Sequence, residues 1–167
     1  EYDTKPLAVA ALKGALAEIS DQVVNVVNAP NIAKDRGITL TSSSSAQQKD
    51  WADQLSITAV TTKGKHSIGG AVVNGQIRVL RYDDFPIDLP IGGNLLIMEY
   101  PDRPGMVGKD GSILGENRIN IARMEVSRID GRGDALVILT LDDPVPPQVL
   151  EQITQTVNPN RAYSISI

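Results

Sequence analysis

The sequence predicts an α+β protein made of two small domains. The first is an α+β domain with an antiparallel sheet, and the second has the order βαββαβ. Three observations carry this. Apolar residues recur at helical spacing in four separate segments. Strict alternation begins at Leu55, where Leu55, Ile57 and Ala59 interleave with Ser56, Thr58 and Val60, and the Asn74-Gly75 pair behind it is a strong hairpin signal. The stretch 86–93 carries Pro86, Pro90, Gly92 and Gly93, which places a boundary near residue 92 and the domains at 1–92 and 93–167.

Taken in order, Asp3 or Thr4 caps a first helix with Pro6 in its opening turn and Leu7, Ala11, Leu12, Ala15, Leu16 and Ile19 on one face. Asn28 caps a short second helix with Pro30 in its first turn and Gly37 at its end. Residues 38–41 suit a strand, and Ser42–Ser45 a solvated loop. Residues 54–90 suit a meander of three strands with a trailing extended piece at 87–89, the two early helices lying on one of its faces. Leu95, Ile97 and Met98 stand in a run apolar on both sides, as a central strand requires. A helix then runs from Pro104 to about Asn117 with Met106, Val107, Ile113 and Leu114 on one side. Its glycines, Gly108, Gly111 and Gly115, weaken it by roughly 1 kcal/mol each relative to alanine, which implies close approach of another backbone or a second subunit. Strands follow at 119–129 and 135–141, joined through Asp130-Gly131. Pro146 and Pro147 open a last helix, and 161–167 closes as a strand. This order is the ferredoxin-like plait, which hosts many functions.

Composition narrows those functions. A chain of 167 residues suffices for one ordinary domain or two small ones, and with 41% hydrophobic but only 4% aromatic residues its cores must be aliphatic. Sixteen basic against twenty acidic residues, with no long basic run, exclude nucleic acid as a partner. The lack of cysteine excludes disulfides, thiolate nucleophiles and sulfur-ligated metals. No apolar run reaches the roughly twenty residues of a membrane span, and no signal peptide is visible, so a cytoplasmic location is expected. The first residue is Glu1, which suggests a fragment or a processed chain.

The stretch around YPDRPG holds the candidate site. Pro104 and Gly105 open a helix whose first N–H groups, those of Met106 and Val107 among them, have no partner within the helix and suit a carboxylate. Asp102 offers a negative charge to an ammonium, and Asn120 an amide that both donates and accepts, so Asp102, Gly105, Met106 and Asn120 suit a small zwitterion such as an amino acid. Asp102 equally fits a helix cap, and Asn120 a turn residue. A second cluster, Lys63, Lys65, His66, Arg78 and Arg81, can attract an anion such as a phosphorylated metabolite, although charge balance on a solvated sheet face explains it as well. No catalytic constellation, metal site or nucleotide fingerprint is legible. His66, the single histidine, stands between Lys65 and Ser67, which point to the other side of a strand.

The stretch PDRPGMVGKDGSILGENRINIARMEVSR resembles the ACT domain that ends D-3-phosphoglycerate dehydrogenase, and VNVVNAPNIAKDRGI resembles the intervening domain before it. The resemblance implies an intervening domain at 1–92 and an ACT domain at 93–167. It implies an effector site using Tyr100, Asp102, Gly105 and Met106 of one subunit and Asn120 of its neighbour, with L-serine as the effector and homo-oligomers formed through ACT domains. The family varies at the positions of Tyr100 and Asp102. The parent enzyme would oxidise 3-phosphoglycerate with NAD on the way to L-serine. Its catalytic and NAD-binding residues lie in domains absent from this chain, which is therefore expected to be non-catalytic and without a cofactor of its own. Two alternatives are an assembly module with an empty site and the regulatory region of an iron–sulfur L-serine dehydratase.

Overall fold

The computed structural model describes residues 3–44, 54–129 and 133–167. The Asp130-Gly131 turn and part of the serine run lie outside them. The chain divides into two compact units, residues 1–50 and 51–167.

The first unit holds helices α1 (Lys5–Ala17) and α2 (Ala29–Asp35). Both carry a proline in the opening turn, where a missing N–H costs nothing. Asp3 rather than Thr4 serves the start of α1, accepting the Lys5 N–H at 3.0 Å. Leu12 and Leu16, one turn apart, bury against Val24, Ala29, Ile32 and Ala33. Asn28 precedes α2 but does not cap it with its side chain. Its amide secures the preceding turn instead, accepting from the Asn25 N–H at 2.7 Å and donating to the Val23 carbonyl at 2.9 Å. The strand expected at 38–41 does not form. The Ile38 N–H turns back to the Ala33 carbonyl, and no strand among the described residues offers this stretch a ladder.

The second unit opens with a meander of four strands rather than three: β1 (Leu55–Thr61), β2 (Gly64–Val73), β3 (Gln76–Tyr82) and β4 (Phe85–Pro90), antiparallel in sequence order. Asn74 and Gly75, at φ 50° and 76°, form the β2–β3 turn in the left-handed region that a two-residue hairpin needs. The piece at 87–89 belongs to a true strand, with Leu89 opposite Val79. Pro86 and Pro90 disguise it, yet β4 is an edge strand, where a missing N–H is tolerated.

A second antiparallel sheet has the order β6-β7-β5-β8, from β5 (Asn94–Pro101), β6 (Ile121–Arg128), β7 (Asp134–Leu141) and β8 (Arg161–Ser166). Helices α3 (Met106–Glu116) and α4 (Pro147–Val157) complete the βαββαβ plait. Alternation along β5 and β7 sends Leu96, Met98, Tyr100, Val137 and Leu139 toward Ile113, Leu114, Val149 and Ile153 of the helices. The opposite face, Leu95, Ile97, Leu136 and Ile138, packs on Val79, Phe85, Ile87 and Leu89 of the meander. The unit is therefore a helix layer, a central sheet and a second sheet, which is why β5 and β7 are apolar on both faces. The expected boundary near residue 92 falls between β4 and β5, at Gly92 and Gly93, both of positive φ, while the sheets on either side of it share a core.

Candidate functional site

Gly105 sits at φ 89° in the N-cap position of α3, a conformation open to glycine at little cost. No side chain caps this helix, so Asp102 is not its cap. Asp102 is exposed, and its Oδ2 accepts from Arg128 Nη1 at 2.9 Å, while its N–H donates to the Gly133 carbonyl at 2.6 Å. Met106 is half-buried against the helix-side core.

Tyr100 is buried, 1% exposed, beneath α3. Its hydroxyl donates to Asp110 Oδ2 at 3.0 Å. Asp110 is fully buried, and its Oδ1 has no hydrogen-bond partner among the described residues. Burial pushes the Asp110 carboxyl up to about 6 against the pull of the Tyr100 hydroxyl. The Tyr100 phenol is raised in turn, first by burial and then by the neighbouring Asp110. Sequence reasoning missed Asp110, although the signal was present: it stands four residues after Met106 and three and four before Ile113 and Leu114. Helical spacing therefore puts it on the buried face in place of Val107, which is exposed.

Asn120 lies just before β6, where its Nδ2 donates to Asp142 Oδ2 at 2.8 Å. Strands β5 and β6 both run antiparallel to β7 between them and are therefore parallel to each other. Asp102 follows the end of β5 and Asn120 precedes the start of β6, so the two stand at opposite ends of the sheet, roughly 25 Å apart at about 3.3 Å per residue. One chain brings Tyr100, Asp102 and the start of α3 together and leaves Asn120 apart.

The basic residues of the meander are spread out. Register sets Arg81 opposite Gly69 and Arg78 opposite Ala71, four and six residues along β2 from Lys65, which is up to about 20 Å. Lys63 lies in the β1–β2 turn. Arg78 is tied to Asp88 through its Nε, and its Nη2 donates to the Asp88 carbonyl at 3.1 Å. His66 belongs to a different cluster. Its Nδ1 is 3.0 Å from Asp83 Oδ2 and 3.0 Å from Arg161 Nη1, while Arg161 Nη2 donates to Glu99 and, at 3.1 Å, to Asp83. Burial would raise Asp83, but hydrogen bonds from His66, the Ser67 N–H and Arg161 outweigh it and hold the carboxyl below its ordinary value. This cluster ties the β3–β4 turn to strands β5 and β8. Among the described residues no group of three or more acidic or histidine side chains is placed to hold a metal, and no helix is long and apolar enough to cross a membrane.

Such a fold, with a glycine-opened helix over the end of its first strand, places the chain among ACT-domain proteins, and residues 94–158 match the ACT domain family. Residues 1–81 match the D-3-phosphoglycerate dehydrogenase intervening domain. The chain thus carries these two domain types in that order and corresponds to the C-terminal part of D-3-phosphoglycerate dehydrogenases. It is 41% identical over 169 residues to the D-3-phosphoglycerate dehydrogenase of Synechocystis sp., a match covering all of this chain and 30% of that protein. The enzyme of Methanocaldococcus jannaschii is 39% identical over 149 residues, covering 89% of this chain and 28% of the relative. That of Archaeoglobus fulgidus is 30% identical over 155 residues, covering 92% and 29%. The chain thus spans about 30% of the length of the curated relatives it matches.

Proposed function

We propose that this chain is the regulatory and oligomerising part of an NAD-dependent D-3-phosphoglycerate dehydrogenase of the cytoplasm, and that it binds an amino acid, L-serine, between the ACT domains of two subunits. In this reading residues 1–92 are the intervening domain and 93–167 the ACT domain, and the chain has no dehydrogenase activity of its own. The observation that carries it is the separation of Asp102 from Asn120 at opposite ends of parallel strands. An isologous pairing about the exposed β6 edge sets the Arg128 end of one strand beside the Ile121 end of the other, and so brings Asp102 of one subunit to Asn120 of its partner. The ammonium of the ligand then displaces Arg128 from Asp102, and its carboxylate takes the N–H groups at the start of α3, where that of Met106 holds only a long bond to the Arg103 carbonyl, 3.4 Å. A ligand that bridges two subunits favours the arrangement it fits, and this linkage would carry the signal to the rest of the enzyme.

Calorimetric titration with L-serine tests the reading, with glycine and D-serine as controls. Asp102→Ala and Asn120→Ala should each abolish saturable, stereospecific heat. A mixture of the two variants should restore about a quarter of the sites, because only mixed dimers hold one intact site. No heat in the unsubstituted chain, with dimers still present by sedimentation, would favour an assembly module with an empty site. Asp102 and Asn120 already held by Arg128 and Asp142 are consistent with that second reading.

A further inference from the structure

We propose that Asp110 is a proton-linked positioning residue: through the Tyr100 hydroxyl it sets how α3 lies on β5, and the gain or loss of one proton changes that placement at the effector site. The link to the effector rests on the function proposed above; the link between Asp110 and Tyr100 does not.

The geometry explains why a proton matters here. A fully buried carboxyl accepts one hydrogen bond, from Tyr100 at 3.0 Å, and its second oxygen has no partner among the described residues. An ionised carboxylate in that position keeps one oxygen desolvated and uncompensated, which is costly, whereas the neutral acid removes the charge and can still accept from Tyr100. Among the described residues nothing around it supplies a counter-charge. From β5 it meets Tyr100, and β7 and α4 contribute apolar groups, Val137, Leu139, Val149 and Ile153, to the same core. Lys109, its neighbour along α3, is exposed, and the charge of Asp102 acts on Tyr100. With its carboxyl raised to about 6, both protonation states of Asp110 are populated at mildly acidic to neutral pH.

The helix that bears Asp110 has room to respond. Among the described residues a Cβ built at Gly108, Gly111 or Gly115 would meet nothing within 4 Å, and Gly105, at positive φ, is the single residue by which α3 leaves the site loop. A shift of α3 moves its first N–H groups relative to Asp102, which stays attached to the end of β5. Ligand affinity should therefore follow the proton on Asp110.

The test is carbon NMR of the full chain, following the Asp110 carboxyl and the Tyr100 ring from about pH 4 to about pH 8. Asp110 should titrate near 6 and the Tyr100 ring should follow with the same midpoint. In Asp110→Asn the Tyr100 inflection should vanish. In Tyr100→Phe the Asp110 midpoint should rise, because the lost hydroxyl bond favours the anion. An Asp110 midpoint in the ordinary carboxylate range, or a Tyr100 ring indifferent to it, overturns the proposal. L-Serine affinity is then compared at about pH 5 and about pH 7.5, where a change of about threefold or more, absent from Asp110→Asn, is expected. Equal affinity at both values overturns the link to the site. No serine binding at either value defeats the effector reading instead, and the Tyr100 titration still decides the pairing with Asp110.

Discussion

At the scale of single residues, the buried Asp110 carries a stability cost with a definite pH dependence. Its folded value of about 6 stands above the unfolded value of 3.8, so the folded state binds the proton more tightly. The resulting stabilisation is complete below the unfolded value and is lost as pH rises through about 6, which amounts to about 3 kcal/mol in all. Unfolding by denaturant at about pH 4 and about pH 7.5 should show that loss in the unsubstituted chain and not in Asp110→Asn; equal losses would show that the carboxyl is not desolvated. Asp83 behaves in the opposite sense. Its depressed value contributes stability above the unfolded value that disappears as pH falls through the folded one, so Arg161→Gln should flatten the acid limb of the stability profile. Asp110 itself was legible from spacing, since a charged residue at i+4 from Met106 breaks the apolar pattern of that face. Its bond to Tyr100 was not, because a helical position does not say which strand residue it will meet.

Among elements, α3 combines a strained start with a weak interior. Gly105→Ala should cost about 1 kcal/mol or more, because a side chain at φ 89° clashes with the following carbonyl. Alanine at Gly108, Gly111 and Gly115 meets nothing within 4 Å among the described residues outside the helix's own backbone, so each substitution should stabilise the isolated fold by up to about 1 kcal/mol. If that flank seats a second subunit, the triple variant should be harder to unfold at low concentration and should dimerise more weakly in sedimentation. Unchanged dimers would remove the flank from the interface. The periodicity of α3 and α4 and the Asn74-Gly75 turn were legible because they depend on neighbours within four residues. Strand β4 was obscured by Pro86 and Pro90, whose effect depends on whether the strand lies at an edge, and sequence does not show that.

Across the second unit, the two sheets are joined by an apolar interface and by the Arg161 cluster at its margin. Arg161 reaches residues 62 and 78 positions away, Glu99 and Asp83, whose side chains are 17% and 18% exposed. Removing the guanidinium leaves two partly buried carboxylates facing each other without a shared cation. Arg161→Ala should therefore destabilise the unit by about 1–2 kcal/mol and speed hydrogen exchange in the β3–β4 turn and at β8, with the helix side unaffected. Exchange that rises equally in α3 and α4 would argue for general loosening instead of a local clasp. His66 sharpens this. Its Nδ1 lies 3.0 Å from both Asp83 Oδ2 and Arg161 Nη1, and the ring tautomer decides whether it donates to the first or accepts from the second.

By itself the sequence determined the α+β class, the four helices, the main hairpin turn, the βαββαβ order and the likeness to the end of a dehydrogenase. Each of these rests on periodicity, turn chemistry or motif, and all act over short stretches of chain. Tertiary structure alone decided that the meander and the plait share a core, that Tyr100 turns inward to Asp110, and that Asp102 and Asn120 stand at opposite ends of one sheet. Those outcomes depend on strand order, register and burial between segments tens of residues apart, which local propensity does not encode.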